Sequence, residues 1–251
     1  MTGSDLTSGT FYDGSNRNYS YLYDKSKYTS LWIAYPLDPS TCSGTNKYSG
    51  SWKATPGIDT NDQINIWYGS YGVDYGDSDL YARGHQIPDA DRQYNQTMVQ
   101  QTYYAINSTP QIQNGFNGGI WSSLEGAIRN MVINKQETVY IATGAAFKKG
   151  SSAETITYIQ PKYDSKACPV PNYYWKAVLR VKLNEDGTVK SASSIGFWFK
   201  HEVYSSSSFT NYTATVNQIE SWTGFDLFTN LPDDMENSVQ SNSTWNTFYN
   251  F

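Results

Sequence analysis

The clearest helical period in this sequence is short and stands alone. Trp121, Leu124, Ile128 and Met131 recur at i, i+3, i+7 and i+10, which lines one side of an α-helix with apolar side chains. Asn117 precedes the stripe at a position suited to an N-cap, followed by Gly118 and Gly119. Most other readable periods are those of strands. They fall at Ser30–Leu37, where Pro36 interrupts the run, and at 138–143, 155–160, 173–183 and 194–199. Asn184–Gly187 (N-E-D-G) reads as the turn between two of these. Residues 97–104 and 215–222 predict short helices, and Ile106–Gln111 an extended piece ended by Pro110. One amphipathic helix and two short ones among many strands predict a single α+β domain with a strand-rich second half.

Length permits this, because 251 residues bury enough surface to hold a core without staples. Residues 1–28 carry Ser, Tyr, Asn and Gly with no sustained period and read as an irregular arm; residues 237–251 read as a polar tail. A Gly/Tyr/Asp loop is expected over 68–79, and Trp52 is expected to be a buried anchor. Aromatic content of 16%, led by 22 Tyr and 8 Trp, accompanies a mean hydropathy of −0.60. With only 16% charged residues, this composition points to an extracytoplasmic protein (secreted, periplasmic or on the cell surface). No run of 18 apolar residues exists, so no membrane span is expected. Met1–Asn18 is polar and lacks the apolar centre of a signal peptide, so a targeting segment would lie outside this sequence. Cys42 and Cys168 allow one disulfide or two unrelated thiols, and neither has zinc-ligand spacing.

The net charge of −5 argues at first against a polyanionic partner. Between Ile128 and Lys182, however, nine Lys or Arg face three acids, a local +6 that leaves −11 elsewhere. Such a segment could line a groove for phosphates or simply be solvated charge.

Histidine occurs twice. His85 follows Arg83 and Gly84 in R-G-H-Q-I-P-D-A-D-R. A neighbouring guanidinium disfavours the imidazolium, and a neutral imidazole can take a proton from water. Arg83 itself could hold a phosphate by paired hydrogen bonds. His201, at a strand end, reads as structural or surface-exposed, and Glu137, Asp164 and the acids at 233–236 read as solvated charge. Downstream lie Asn107-x-x-Pro110-Gln111 and Phe116-Asn117, then Trp121, Glu125 and Arg129 at four-residue spacing. Glu125 and Arg129 could be a plain exposed ion pair. Alternatively, Asn117 offers one amide oxygen to Mg²⁺ while Glu125 holds a metal-bound water, since Mg²⁺ takes few protein ligands.

In this order, R-G-H, N-x-x-P-Q, F-N-x₃-W-x₂-L-E and a following Arg resemble the DNA/RNA non-specific endonuclease family of the ββα-metal (His-Me finger) superfamily. W-K-A-T-P (52–56), V-Y-I-A-T-G (139–144), V-P-N-Y-Y-W-K (170–176) and I-E-S-W-T-G-F-D-L-F (219–228) extend the resemblance over roughly residues 29–236. It implies a ββα-metal fold whose central antiparallel sheet is flanked by helices and long loops. It also implies Mg²⁺-dependent hydrolysis of DNA and RNA to 5′-phosphate ends, with contacts to the phosphate backbone. Mn²⁺ accepts the same oxygen donors. Position by position, the resemblance makes His85 the general base, Asn117 the metal ligand and Glu125 the holder of metal-bound water. Arg83 and Arg129 become phosphate contacts, and Asn107 a positioning residue. Asp89 and Asp91 could tune a metal from outside its ligand set. No inhibitor protein is specified by the sequence.

Two positions depart from the family pattern. Ala82 stands where an Asp commonly opens the D-R-G-H motif, and Gly50 where an Arg can precede the W-K station; Lys47 nearby cannot reproduce a guanidinium clamp. These departures keep open a weakened or inactive nuclease-fold protein that only binds nucleic acid. A carbohydrate-binding protein with rings that stack on sugars is the remaining alternative.

Overall fold

The structure, a computed structural model, describes residues 5–72 and 81–251. Seven strands form one antiparallel sheet. Their spatial order is β1 (Leu6–Asp13), β2 (Asn16–Asp24), β3 (Thr29–Leu37), β6 (Val139–Ala146), β9 (Tyr173–Leu183), β10 (Val189–Lys200) and β11 (Thr213–Ala214). Two antiparallel pairs stand outside it: β4 (Tyr81–His85) with β5 (Ser108–Ile112), and β7 (Thr157–Ile159) with β8 (Cys168–Val170). The helices are α1 (Pro39–Cys42), α2 (Gln96–Gln101), α3 (Ser122–Lys135), α4 (Val216–Thr223), α5 (Asp233–Val239) and α6 (Trp245–Tyr249).

The sheet is covered on both faces, and strand alternation decides which residue meets which cover. On β9, Tyr174 and Val178 join the larger core, whereas Trp175 and Ala177 belong to the opposite one. The larger core takes the apolar stripe of α3: Trp121, Leu124, Ile128 and Met131 are all buried against the sheet. The opposite core is closed by Val216 and Ile219 of α4, whose Thr215 and Gln218 form a capping box. By the same alternation Lys176, between Tyr174 and Val178, faces α3.

Several expectations change. Residues 6–24 are not an irregular arm but a hairpin that extends the sheet by two strands. Tyr19, Tyr21 and Tyr23 alternate inward, and the hydroxyls of Tyr19 and Tyr23 donate to the Gln101 and Asp62 carbonyls at 2.8 and 3.0 Å. A tyrosine whose hydroxyl is satisfied packs as a large apolar residue, so counting aliphatic side chains hides this strand. The polar tail likewise holds α6, with Phe248 buried in the larger core and Trp245 packed 6.0 Å from Phe197. Cys42 and Cys168 are separate free thiols. Asn117 does not cap α3: it lies inside an irregular π-type segment, Gln113–Trp121, that runs directly into the helix. Residues 73–79 of the expected Gly/Tyr/Asp loop lie outside the described residues. Among the described residues no helix is long and apolar enough to cross a membrane.

Candidate active site

The β4–β5 pair and α3 bring His85, Asp89, Asp91, Glu125 and Arg129 within electrostatic reach of one another, and Asn117 lies on the irregular segment between β5 and α3. His85 opposes Ser108, and Arg83 opposes Pro110. Gly84 is required where it stands, because a Cβ there would come within 2.3 Å of the Gln111 side chain.

Asn107 is buried and fully engaged. Its Oδ1 accepts the Ile87 N–H at 2.9 Å, and its Nδ2 donates to the carbonyls of Ile87 and Thr102 at 2.9 and 2.8 Å. Its own carbonyl accepts from the Gln86 N–H at 2.9 Å. The chain immediately after His85 is thereby held by one amide.

The His85 ring rests against Trp52 at 4.6 Å and meets Tyr103 edge-on at 4.9 Å, and Trp52 is the buried anchor expected. Burial pushes the imidazole down to about 4, with Arg83 lowering it further and Asp89 opposing. The ring is therefore neutral near pH 7, chiefly through desolvation rather than through the adjacent arginine. His85 Nε2, both amide atoms of Gln111 and Glu125 Oε1 are buried without a hydrogen-bond partner among the described residues. Unsatisfied buried polar atoms are uncommon in folded proteins and mark places where a ligand or water is expected.

Glu125 lies on α3 beside the sequence-predicted stripe. Burial raises its carboxyl to about 7, Asp91 and Asp89 add to the rise, and Lys176 and Arg129 oppose it. Asp89 thus acts electrostatically on both His85 and Glu125. It also accepts a hydrogen bond from the Tyr103 hydroxyl at 2.8 Å. Arg129 is not an exposed partner of Glu125 alone: its Nη1 pairs with Asp91 Oδ1 at 2.7 Å, and Asp91 also accepts from the Tyr35 hydroxyl. The Asn117 amide nitrogen donates to Gln113 Oε1 at 2.9 Å, and its carbonyl oxygen takes no part in that bond. Among the described residues no group of three or more His, Cys, Asp or Glu surrounds a metal position.

Lys176 belongs with this cluster, yet the sequence reading gave it no role. It is buried, with Nζ 3.1 Å from Thr143 Oγ1 and 4.8 Å from the Trp121 ring centroid. Burial lowers its ammonium to about 8, against the attraction of Glu125 and Asp91. A lone lysine inside the otherwise apolar run Y-Y-W-K-A-V-L was the available signal.

The basic segment does not form one continuous groove. Lys176 and Arg180 are internal, Arg180 pairs with Glu137, and Lys166 pairs with Asp164. Glu137 and Asp164 are consequently structural partners rather than merely solvated charge. His201 is structural as expected: its Nε2 accepts the Ile112 N–H, and its Nδ1 lies 2.9 Å from the Pro171 carbonyl. A cleft of about 510 Å³ opens beside His85, with Gly50, Trp52, Arg83 and Tyr103 among its lining residues. Gly50, where the resemblance allows an arginine, is therefore part of the cleft wall.

An antiparallel strand pair bearing His85 followed by a helix bearing Glu125, packed on a central antiparallel sheet, defines the ββα-metal nuclease class. The chain belongs to the DNA/RNA non-specific endonuclease family, which it matches over residues 5–234. It is 26% identical to a nuclease of Serratia marcescens over 215 residues, covering 84% of this chain and 72% of that protein. It is 23% identical to mitochondrial nuclease 1 of Schizosaccharomyces pombe, over 86% of this chain and 66% of that one. Bovine mitochondrial endonuclease G is 25% identical over 66% of this chain and 53% of its own length. In structure, the chain matches one solved in the EndoG/EndoGI complex with a TM-score of 0.67 at 16% identity, covering 89% and 86% of the two chains.

Proposed function

We propose that this protein is a metal-dependent endonuclease that hydrolyses phosphodiester bonds of DNA and RNA, with His85 as general base. The observation that carries this reading is the state of His85: neutral, with Nε2 unpartnered, on the β4–β5 strand pair and linked to Glu125 through the charge of Asp89, which acts on both. An imidazole held at about 4 is a weak base, but a bound phosphate places negative charge beside it and raises its affinity for a proton. His85 Nε2 takes a proton from the attacking water. Arg83 and Arg129 offer positive charge to the phosphate oxygens, and Asn107 keeps the segment after His85 in register.

The donor set fits a hard cation that retains most of its water. Asn117 would supply a neutral amide oxygen, and Glu125, with its unpartnered oxygen, would hold a metal-bound water. A bound Mg²⁺ or Mn²⁺ would supply Lewis-acid stabilisation of the phosphate and of the leaving 3′-oxygen, giving 5′-phosphate ends. Location outside the cytoplasm is supported by the polar, aromatic-rich and charge-poor composition, although some relatives are named as mitochondrial. Gly50 and Ala82 favour a second reading, in which the same fold binds nucleic acid with reduced turnover.

Digestion of supercoiled plasmid and of RNA separates the two readings. Cleavage with Mg²⁺, its loss in EDTA, and a fall of about 10²–10⁴-fold in His85→Ala are expected. Asn117→Ala should weaken the response to metal. Wild-type rates in His85→Ala would overturn the assignment of the base, and binding without cleavage under any divalent metal would select the second reading.

A further inference from the structure

The cleft beside His85 is built differently from a simple phosphate channel. Its inner end is Trp52 and Tyr103, the two rings that hold His85, with the Arg83 guanidinium 5.6 Å from the Trp52 ring. Its lips carry two exposed rings, Tyr68 at 71% and Tyr163 at 47% exposure. These lips are anchored. The Asn65 N–H donates to Asp164 Oδ2 at 2.6 Å, and Arg83 Nη1 donates to the Ile66 carbonyl at 3.0 Å. Gly69 lets the Tyr163 ring lie against the opposite lip, since a Cβ there would come within 2.5 Å of that ring. Lys162 brings a second cation to the rim, 5.7 Å from the Tyr163 centroid.

We propose that this cleft is a nucleobase subsite, which takes one unpaired base beside the phosphate presented to His85 and so makes single-stranded nucleic acid the preferred substrate. The inference rests on the nuclease reading above. Aromatic rings with cations at the rim suit a flat π-face attached to an anion. The volume of about 510 Å³ is that of a small-ligand pocket. A base in a duplex is stacked and paired, so it would have to be extruded before it could enter. Ring stacking recognises any base, which suits a family without sequence readout.

The test compares binding of (dT)12 with binding of a twelve-unit abasic tetrahydrofuran–phosphate chain, using His85→Ala protein in EDTA. The two probes share phosphates and differ in bases. The oligonucleotide should bind about tenfold more tightly. Tyr68→Ala/Tyr163→Ala in that background should abolish the difference while leaving the abasic affinity unchanged, and Tyr68→Phe/Tyr163→Phe should preserve it. Equal binding of the two probes, or a difference that survives removal of both rings, overturns the subsite. In the active protein, the double alanine variant should lower kcat/KM on single strands about tenfold more than on duplex. A wild-type protein that cleaves neither polymer defeats the nuclease reading, while the binding comparison still decides the subsite. Cleavage with base-independent binding defeats the subsite alone.

Discussion

His85 and His201 are both pushed down to about 4 by burial, but in opposite hydrogen-bonding states. His201 is satisfied at both ring nitrogens, whereas His85 Nε2 has no partner among the described residues. The first arrangement secures a loop, and the second leaves one ring nitrogen of His85 without a hydrogen bond, the atom to which the proposed function assigns the proton transfer. Both have the same consequence for stability. Between about pH 6.5 and 4 the unfolded chain binds protons that the folded chain refuses, so stability falls as pH falls through that window. Glu125 acts in the reverse sense: its carboxyl, raised to about 7, favours the folded state below about pH 4.5 and loses that contribution as pH rises through 7. Two imidazoles against one carboxylate leave a net loss on acidification. The urea midpoint of the metal-free protein should therefore drop from pH 7 to pH 5. His201→Gln should be less stable at pH 7 yet show a shallower slope, by about 1–2 kcal/mol over that interval. An unchanged slope would mean that His201 is not held neutral.

At the scale of elements, β4 and β5 carry His85, the base proposed above, and Gly84 beside it packs against the Gln111 side chain. Gly84→Ala must displace the buried Gln111 side chain or move the strands apart. We expect a cost of about 1–3 kcal/mol, as for overpacking elsewhere, and at least a tenfold loss of kcat/KM, because a small displacement of a positioned group is expensive for catalysis. Urea denaturation and initial rates on plasmid would measure both. A variant with lost stability but wild-type kcat/KM would show that Gln111, rather than the position of His85, absorbs the change. The α3 helix carries chemistry by the same economy. Its apolar stripe fixes rotation against the sheet, and that rotation sets Glu125 and Arg129 beside Lys176 and Asp91.

For the whole molecule, both ends of the described chain are structural. The β1–β2 hairpin is tied to the centre through Asn18, which bonds Gln101 Oε1 at 2.8 Å and accepts from Arg92 Nε at 2.6 Å. At the other end, Arg180 Nη1 donates to the carbonyls of Phe248 and Tyr249 at 2.5 and 3.1 Å. Ending the chain at residue 242 would remove the buried Phe248 ring and those carbonyls, leaving Arg180 with Glu137 alone. Loss of one large buried aromatic costs about 3–5 kcal/mol, so the melting temperature should fall by roughly 5–15 °C. A truncated protein that melts with the full chain would show that α6 adds nothing to the core.

The sequence by itself determined the elements whose period is strong and local: α3, from its stripe, and β3, β6, β9 and β10, from their apolar runs and the turn at Asn184–Gly187. It also supplied the candidate residues His85, Asn107, Asn117, Glu125 and Arg129, because they occur in motifs of fixed order. Tertiary structure decided what depends on partners distant along the chain. The β1–β2 hairpin and α6 are ordered by tyrosines, Trp245 and Phe248 that pay their burial against β3, β10 and the core. The same holds for electrostatics. The neutrality of His85 comes mainly from the rings of Trp52 and Tyr103 and the burial they create, and the raised Glu125 carboxyl from a pocket shared with Asp91 and Lys176. Charge state depends on the solvent a group has lost and on the charges folded against it, and only the packed molecule sets those.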